Sequence, residues 1–231
     1  EFYFSTRNEL HSEVAHEPGA EPYVGTSLGQ PLWHFLKANM EGLFEGREIV
    51  PTVRVPTELS EMEVLPEQNR AAWSAQDIFE LANVRRHSVS TASNSYFFVL
   101  FLNGYFQKED GSTSTQTLGV QLTDSTIVAI FKPVIVSTGS GQPPFVAKYI
   151  EQSTLVHEMG HALGLVNNGL PMKVPHQDKR HSAHCTNSSC TMYWRNEGPS
   201  EARDFALKYI LTGGEIIFGK ECLRDTREYK P

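Results

Sequence analysis

The sequence predicts an α+β fold: a mixed sheet with helices packed on it, one helix carrying a metal-binding motif. Three observations lead there. Over the first two-thirds of the chain, short β-branched or apolar runs alternate with stretches of helical period, and the rest is irregular chain plus one helical pattern. Thr154-Leu-Val-His-Glu-Met-Gly-His-Ala-Leu-Gly-Leu165 places an H-E-x-x-H motif, His157 to His161, in an apolar helical stretch. The length of 231 residues suits a single domain, residues 1–231, with room for a core and for two lobes around a cleft.

The elements follow in chain order. Residues 1–8 read as a frayed start, and Leu10 to His16 alternates weakly, as a short strand ended by Glu17-Pro-Gly-Ala-Glu-Pro22. From Ser27 to Phe44, Leu32, Phe35, Leu36, Met40, Leu43 and Phe44 recur at helical spacing, and Gly46 ends the helix. Glu48 to Val55 is β-branched and reads as a strand, with Pro51 marking an edge or a bent start. Pro66 opens a second helix over about 67–86, with Ala71, Ala72, Ala75, Ile78, Phe79, Leu81 and Ala82 on its buried side. Tyr96-Phe-Phe-Val-Leu-Phe-Leu102 is a continuous apolar run, the pattern of a strand buried on both faces. A polar loop, Lys108 to Thr115, precedes two strands, Thr117 to Leu122 and Thr126 to Phe131. Thr138 to Pro144 leads into the motif helix, along which Val146, Tyr149, Ile150, Val156 and Leu163 keep helical spacing up to a stop at Gly164. Glu201 to Leu211 is the last helix, closed by Gly213-Gly214.

Composition narrows the function. A net charge of −7 and a pI near 5.7 argue against a nucleic-acid partner, and the short basic runs at Arg85-Arg86 and Lys179-Arg180 do not change that. The chain has no apolar run long enough to span a membrane, and it opens at Glu1 without a leader, which leaves export open. Gly139 and Gly141 lack the following Gly-Lys-Ser/Thr of a phosphate loop. Three cysteines, Cys185, Cys190 and Cys222, fit neither a disulfide-rich scaffold nor a thiol enzyme. Cys185 and Cys190 bracket a four-residue turn that a disulfide would close in an oxidising compartment.

The motif carries the chemistry. His157 and His161, four residues apart, turn their rings to one spot on a helix, and neutral imidazoles suit Zn²⁺. Glu158 sits between them, beside the metal without binding it, where a carboxylate can take a proton from an attacking water and return it to a leaving amine. A catalytic zinc takes three protein ligands and keeps a fourth position open. Beyond the helix the candidates for the third are His176, His181, His184, Asn167 and acidic residues such as Glu197.

His157 to Gly164 resembles the opening of the metzincin signature, H-E-x-x-H-x-x-G-x-x-H/D with a later Met-turn. The third ligand of that pattern would fall at Asn167, a poor zinc ligand. His184-Cys-Thr-Asn-Ser-Ser-Cys-Thr-Met192, however, is similar to the H-C-x₄-C-x-M block of the archaemetzincin branch, with a 17-residue insert from Asn167 to Ala183. The arrangement also resembles bacterial secreted or lipid-anchored metalloproteases. The resemblance implies a metzincin-like twisted mixed sheet, with 1–165 as one subdomain and an irregular 166–231 as the other. It implies one catalytic zinc ion on His157, His161 and His184, with Met192 forming the turn beneath it. His176 is the alternative third ligand. Glu197, in an Asn196-Glu-Gly-Pro-Ser-Glu201 run similar to the glutamate block of thermolysin-like enzymes, ranks third. The same branch carries a further C-x-x-C pair that completes a second, structural zinc site. Here Gly219 stands where the partner of Cys222 would be, so a Cys185–Cys190 disulfide with Cys222 free is expected, and a three-cysteine zinc site is the alternative.

The function implied is a zinc endopeptidase acting on protein or peptide substrates, with Gly119 to Leu122 or Thr126 to Phe131 as the edge strand that holds substrate extended. A secreted, periplasmic or surface-anchored setting goes with it. Two rivals stand beside this reading: a catalytically silent zinc-containing binding protein, suggested by Asn167, and a hydrolase of non-peptide amides.

Overall fold

The computed structural model describes residues 8–229. The first strand, β1 (Glu9–His16), alternates buried Leu10, Ser12 and Val14 with half-buried neighbours and then ends in buried Ala15 and His16. After it, β2 (Thr26–Ser27) and β3 (Gln30–Pro31) form a small hairpin. Its two-residue turn takes Leu28 and Gly29 into the left-handed region, at φ 51° and 84°. Helix α1 therefore runs Leu32–Phe44 and not from Ser27, because the segment before it is spent on the hairpin. It buries Trp33, Leu36, Met40, Leu43 and Phe44.

Next come β4 (Thr52–Arg54), directly after Pro51, and β5 (Glu63–Val64), both short. The helix expected over 67–86 is half that length. Ala72–Trp73 is strand β6, and α2 is confined to Ala75–Arg85. Its start is fixed by a capping box: the Asp77 amide donates to the Ser74 hydroxyl, and the Asp77 carboxylate accepts from the Ser74 amide. Only Ile78 and Ala82 of α2 are fully buried, and Phe79 faces outward.

Strand β7 (Asn94–Leu102) is buried at every position from Phe97 to Leu102. Successive residues point to opposite faces, so both faces of the sheet are covered here. The polar stretch that follows is a hairpin, β8 (Tyr105–Gln107) and β9 (Thr113–Ser114), joined to β6 in a three-stranded sheet. Strands β10 (Gly119–Gln121) and β11 (Ile127–Phe131) are antiparallel to each other. Helix α3 (Lys132–Thr138) follows at once, with Pro133 in its first turn, although its β-branched sequence gives no helical period. The motif helix α4 covers Pro144–Ala162. Two helices close the chain where one was expected: α5 (Pro199–Thr212), ended by left-handed Gly213, and α6 (Lys220–Arg227).

The main sheet has the order β10-β11-β7-β1-β4, with β5 also on β1. The weakly alternating β1 is thus an inner strand, parallel to β7 along its whole length and to β4 and β5 in turn on its other side. Of the two candidates for an edge strand, β11 is interior, between β7 and β10. Strand β10 lies at the edge and is antiparallel to its neighbour. Helix α4 packs against β10, β11 and α1, which brings the motif to the sheet's open edge. Among the described residues no helix is long and apolar enough to cross a membrane.

Candidate metal centre

Helix α4 ends one residue after His161 in a Schellman motif: the Gly164 amide donates to the His161 carbonyl and the Leu165 amide to that of Gly160. Gly164 is at φ 79°, where a side chain would be strained, and Val166 and Asn167 are also left-handed, at 55° and 61°. The chain reverses through these residues. Asn167, at the sequence position of the expected third ligand, serves the turn.

The reversal returns the chain beneath α4 and carries His184 to the two motif histidines. His157, His161, His184 and Glu197 offer ligand atoms that all lie within 4.8 Å of one another. The Nε2 atoms of His157 and His161 are 3.1 Å apart. Two backbone carbonyls fix which nitrogen faces inward. Nδ1–H of His157 donates to Thr191 O at 2.7 Å, and Nδ1–H of His184 to His181 O at 2.6 Å. In both rings the inward Nε2 is then an unprotonated lone pair, as a metal requires. Burial pushes His157 down to about 4, the nearby His184 adding to it, and drives His161 well below the ordinary histidine value, so both stay neutral near pH 7. Burial acts the same way on His184, but the Glu197 carboxylate outweighs it and raises that group.

The residues fit a zinc ion. His184 Nε2 is buried with no hydrogen-bond partner: Glu197 Oε1 is 2.9 Å away but off the line of a hydrogen bond. The 3.1 Å between the Nε2 atoms of His157 and His161 is close to the separation of about 3.3 Å that a tetrahedral ion with Zn–N near 2.05 Å would set.

Glu158 is buried beside this cluster. Desolvation raises its carboxyl well above the usual range and the charge of Glu197 adds to that, while the Gln121 amide pulls the other way. Strand β10 lies against it so closely that a Cβ on Gly119 would come within 3.0 Å of Glu158 Cγ and of Thr154 Cγ2. A cleft of about 530 Å³ runs between β10 and the Ser182–His184 segment, with Glu158 and His161 on its floor and half-exposed Glu197 at its side.

Met192 is fully buried against α4, at the one motif position without a side chain: a Cβ on Gly160 would overlap its sulfur. His181 does not reach the cluster. Its ring stacks on Trp194 at 3.9 Å and bonds Asp178, and only its carbonyl serves His184. The orienting carbonyls of Thr191 and His181 leave no mark in the sequence, whereas the Gly160 of the motif signals a close approach.

His176, the alternative third ligand, is turned away. Its Nδ1 faces Cys185 Sγ at 3.2 Å and its Nε2 faces Asp225 Oδ2 at 2.6 Å. Burial would lower it, but Asp225 and Cys185 prevail and lift it to about 9. The expected Cys185–Cys190 disulfide is not formed: all three thiols are buried and unbridged, Cys185 and Cys222 share a point with His176, and Cys190 Sγ lies 3.6 Å from Cys222 Sγ. The cysteines therefore say nothing of an oxidising compartment.

No protein-family model matches the chain, and no curated protein does. Among solved structures the chain is similar to a zinc-dependent peptidase from Methanocorpusculum labreanum (strain Z). The TM-score is 0.52 at 13% identity, over 94% of this chain and 100% of that one. The likeness is one of fold: an α+β arrangement of a twisted mixed sheet and packed helices, as a zinc-dependent peptidase has it.

Proposed function

We propose that this protein is a zinc-dependent endopeptidase of metzincin type, with His157, His161 and His184 as metal ligands and Glu158 as general base and acid. The observation that carries the reading is the meeting of three imidazoles, two with their inward lone pairs fixed by backbone carbonyls, beside a buried carboxylate that is no part of the ligand cluster. The fold likeness to a zinc-dependent peptidase supports it.

Zinc, when bound, supplies a Lewis acid that activates water and polarises the scissile carbonyl. The chain's own residues do the rest. Glu158 takes the proton of the attacking water and passes it to the leaving amine, a role served by a carboxyl whose desolvation brings its pKa toward neutrality. Among the described residues no strand covers the outer edge of β10 above the cleft, so an extended peptide adds to the sheet there beside the Gln121 amide that serves Glu158. Backbone pairing of this kind selects a peptide over a small amide, and it is indifferent to most side chains. Met192 packs beneath the turn between the first two ligands and holds Thr191 against His157.

One observation favours a second reading. Glu197 stands close enough to His184 to fill a fourth position, and a closed four-ligand site would make this a silent zinc-holding binding protein. The two readings separate on digestion of an unfolded protein mixture by the zinc-loaded chain and by its Glu158→Gln variant. Internal cuts that vanish in the variant while zinc is retained are the expected result. Absence of cuts from the wild type with zinc bound would reject the peptidase and favour the binding protein.

A further inference from the structure

The second group of metal-ligating side chains lies apart from the first and has no role in the chemistry above. His176, Cys185, Cys190 and Cys222 are all buried and come from three segments: the insert, the loop after His184, and α6. His176 Nδ1 is 3.2 Å from Cys185 Sγ, and Cys190 Sγ is 3.6 Å from Cys222 Sγ. For a tetrahedral zinc with bonds near 2.3 Å to sulfur and 2.05 Å to nitrogen, those edges are about 3.6 and 3.8 Å.

The surroundings suit thiolates. The Asn187 amide donates to Cys185 Sγ at 3.4 Å and the Gly219 amide to Cys190 Sγ at 3.0 Å. On the far side of the histidine, fully buried Asp225 accepts from Nε2–H, so Nδ1 is the nitrogen turned to the sulfurs and the one that would give its lone pair to a metal there in place of a proton. The other oxygen of Asp225 is fixed by the Lys173 amide at 2.7 Å. Gly219 is not a lost ligand: a Cβ there would come within 2.8 Å of Asn187 Nδ2 and 2.9 Å of Cys190 Cβ.

We propose that His176, Cys185, Cys190 and Cys222 hold a second zinc ion, with the histidine of the insert as fourth ligand where the resembling pattern has a cysteine. With four protein ligands the site is closed and structural. It ties the insert and α6 to Cys185, the residue next to His184.

The test is metal content of the full chain purified reduced with zinc. Two zinc ions per chain are expected, and one in a His157→Ala/His161→Ala variant, which removes only the first site. Cobalt in that variant gives a thiolate charge-transfer band. His176→Ala loses the second ion, His176→Cys keeps it with a stronger band, and Asp225→Asn weakens its affinity roughly 10–100-fold. If His176→Ala does not fold, the wild type still decides: its three thiols stay unreactive toward a thiol reagent until a chelator is added. A single zinc per wild-type chain, or thiols that react or form a disulfide with zinc present, would overturn the proposal.

Discussion

Gly160→Ala tests how the motif helix is seated. The new methyl would overlap Met192 Sδ and approach Phe218 Cε1 to 3.1 Å, both in fully packed surroundings. Forcing a methyl into such a core costs about 1–3 kcal/mol, while alanine over glycine returns about 1 kcal/mol of helix propensity. The net loss is about 0–2 kcal/mol, a fall in Tm of up to about 8 °C for a chain of this size. Zinc affinity suffers further, since Met192 can only move by dragging Thr191, whose carbonyl holds His157, and its own carbonyl, which accepts from the Cys185 amide. Disturbing an outer-shell partner of this sort costs roughly 10–100-fold in metal affinity. The assay is a double-mutant cycle with Met192→Ala, read by thermal melts at saturating zinc and by zinc competition against a chelator. Met192→Ala alone costs about 2–5 kcal/mol through the cavity it leaves. In the double variant the alanine methyl moves into that cavity, and a favourable coupling of about 0.5–3 kcal/mol is expected. Strict additivity, or a Gly160→Ala protein with unchanged zinc affinity, would refute the seating argument.

The other expectations concern the ligands, the cleft and one buried ion pair. His184→Ala should lose zinc from the first site, whereas His176→Ala should leave that site's three nitrogens intact; metal analysis of the two variants distinguishes them. Gly119→Ala should press on Glu158 and Thr154 and lower kcat/KM by about tenfold or more with little change in zinc content, read by steady-state cleavage of a quenched peptide. Lys132 and Glu151 form a buried pair at 2.5 Å, so Lys132→Met should cost about 3–5 kcal/mol by leaving Glu151 unpaired, and Lys132→Met/Glu151→Gln should recover most of it, as followed by denaturant melts. In Lys132→Met the desolvated Glu151 carboxyl, already raised above 4.5 and now without the opposing ammonium, carries a folded-state pKa above its unfolded one. Its stability is therefore fullest below about pH 4.5 and lost as pH rises through the folded value, so the deficit should widen on going from pH 5 to pH 8.

What the sequence showed and what it hid divide along the range of the interactions. The motif helix was legible because its signals are local: apolar period up to Leu163, then Gly164, whose Schellman bonds are made within five residues. The same holds for Tyr96 to Leu102, a run that only a strand covered on both faces can use. Segment 67–86 misled because Ala71 and Ala72 look helical while Trp73 pairs with Phe106 in another strand; the Ser74-x-x-Asp77 box was the local signal that gave the true start. Helix α3 hides behind Val134, Ile135 and Val136, whose branched side chains favour a strand; burial of Val134 and Ile135 keeps the turn helical while Val136 faces outward. Helix α6 shows no apolar stripe, since what it buries is Cys222, Asp225 and Thr226. The placement of His176 was beyond reach for the same reason: its partner Asp225 lies 49 residues away, and no spacing rule relates them.

That long-range contact also explains how a 17-residue insert can precede a metal ligand without loosening it. Free chain of that length would leave His184 searching a wide volume, and the entropy of restraining it would weaken the first site. Here the insert is fastened at several points before it reaches His184. The Asp178 amide donates to the His184 carbonyl, the Thr186 amide to that of His176, and the Lys173 amide to Asp225. Cys185 then binds the Met192 carbonyl, which closes the loop onto the residue packed under Gly160. A ligand three residues beyond the motif glycine needs no such framework, whereas one delivered from a distance does. These backbone bonds hold His184 in place by themselves, and the second cluster adds one more fastening at its neighbour Cys185.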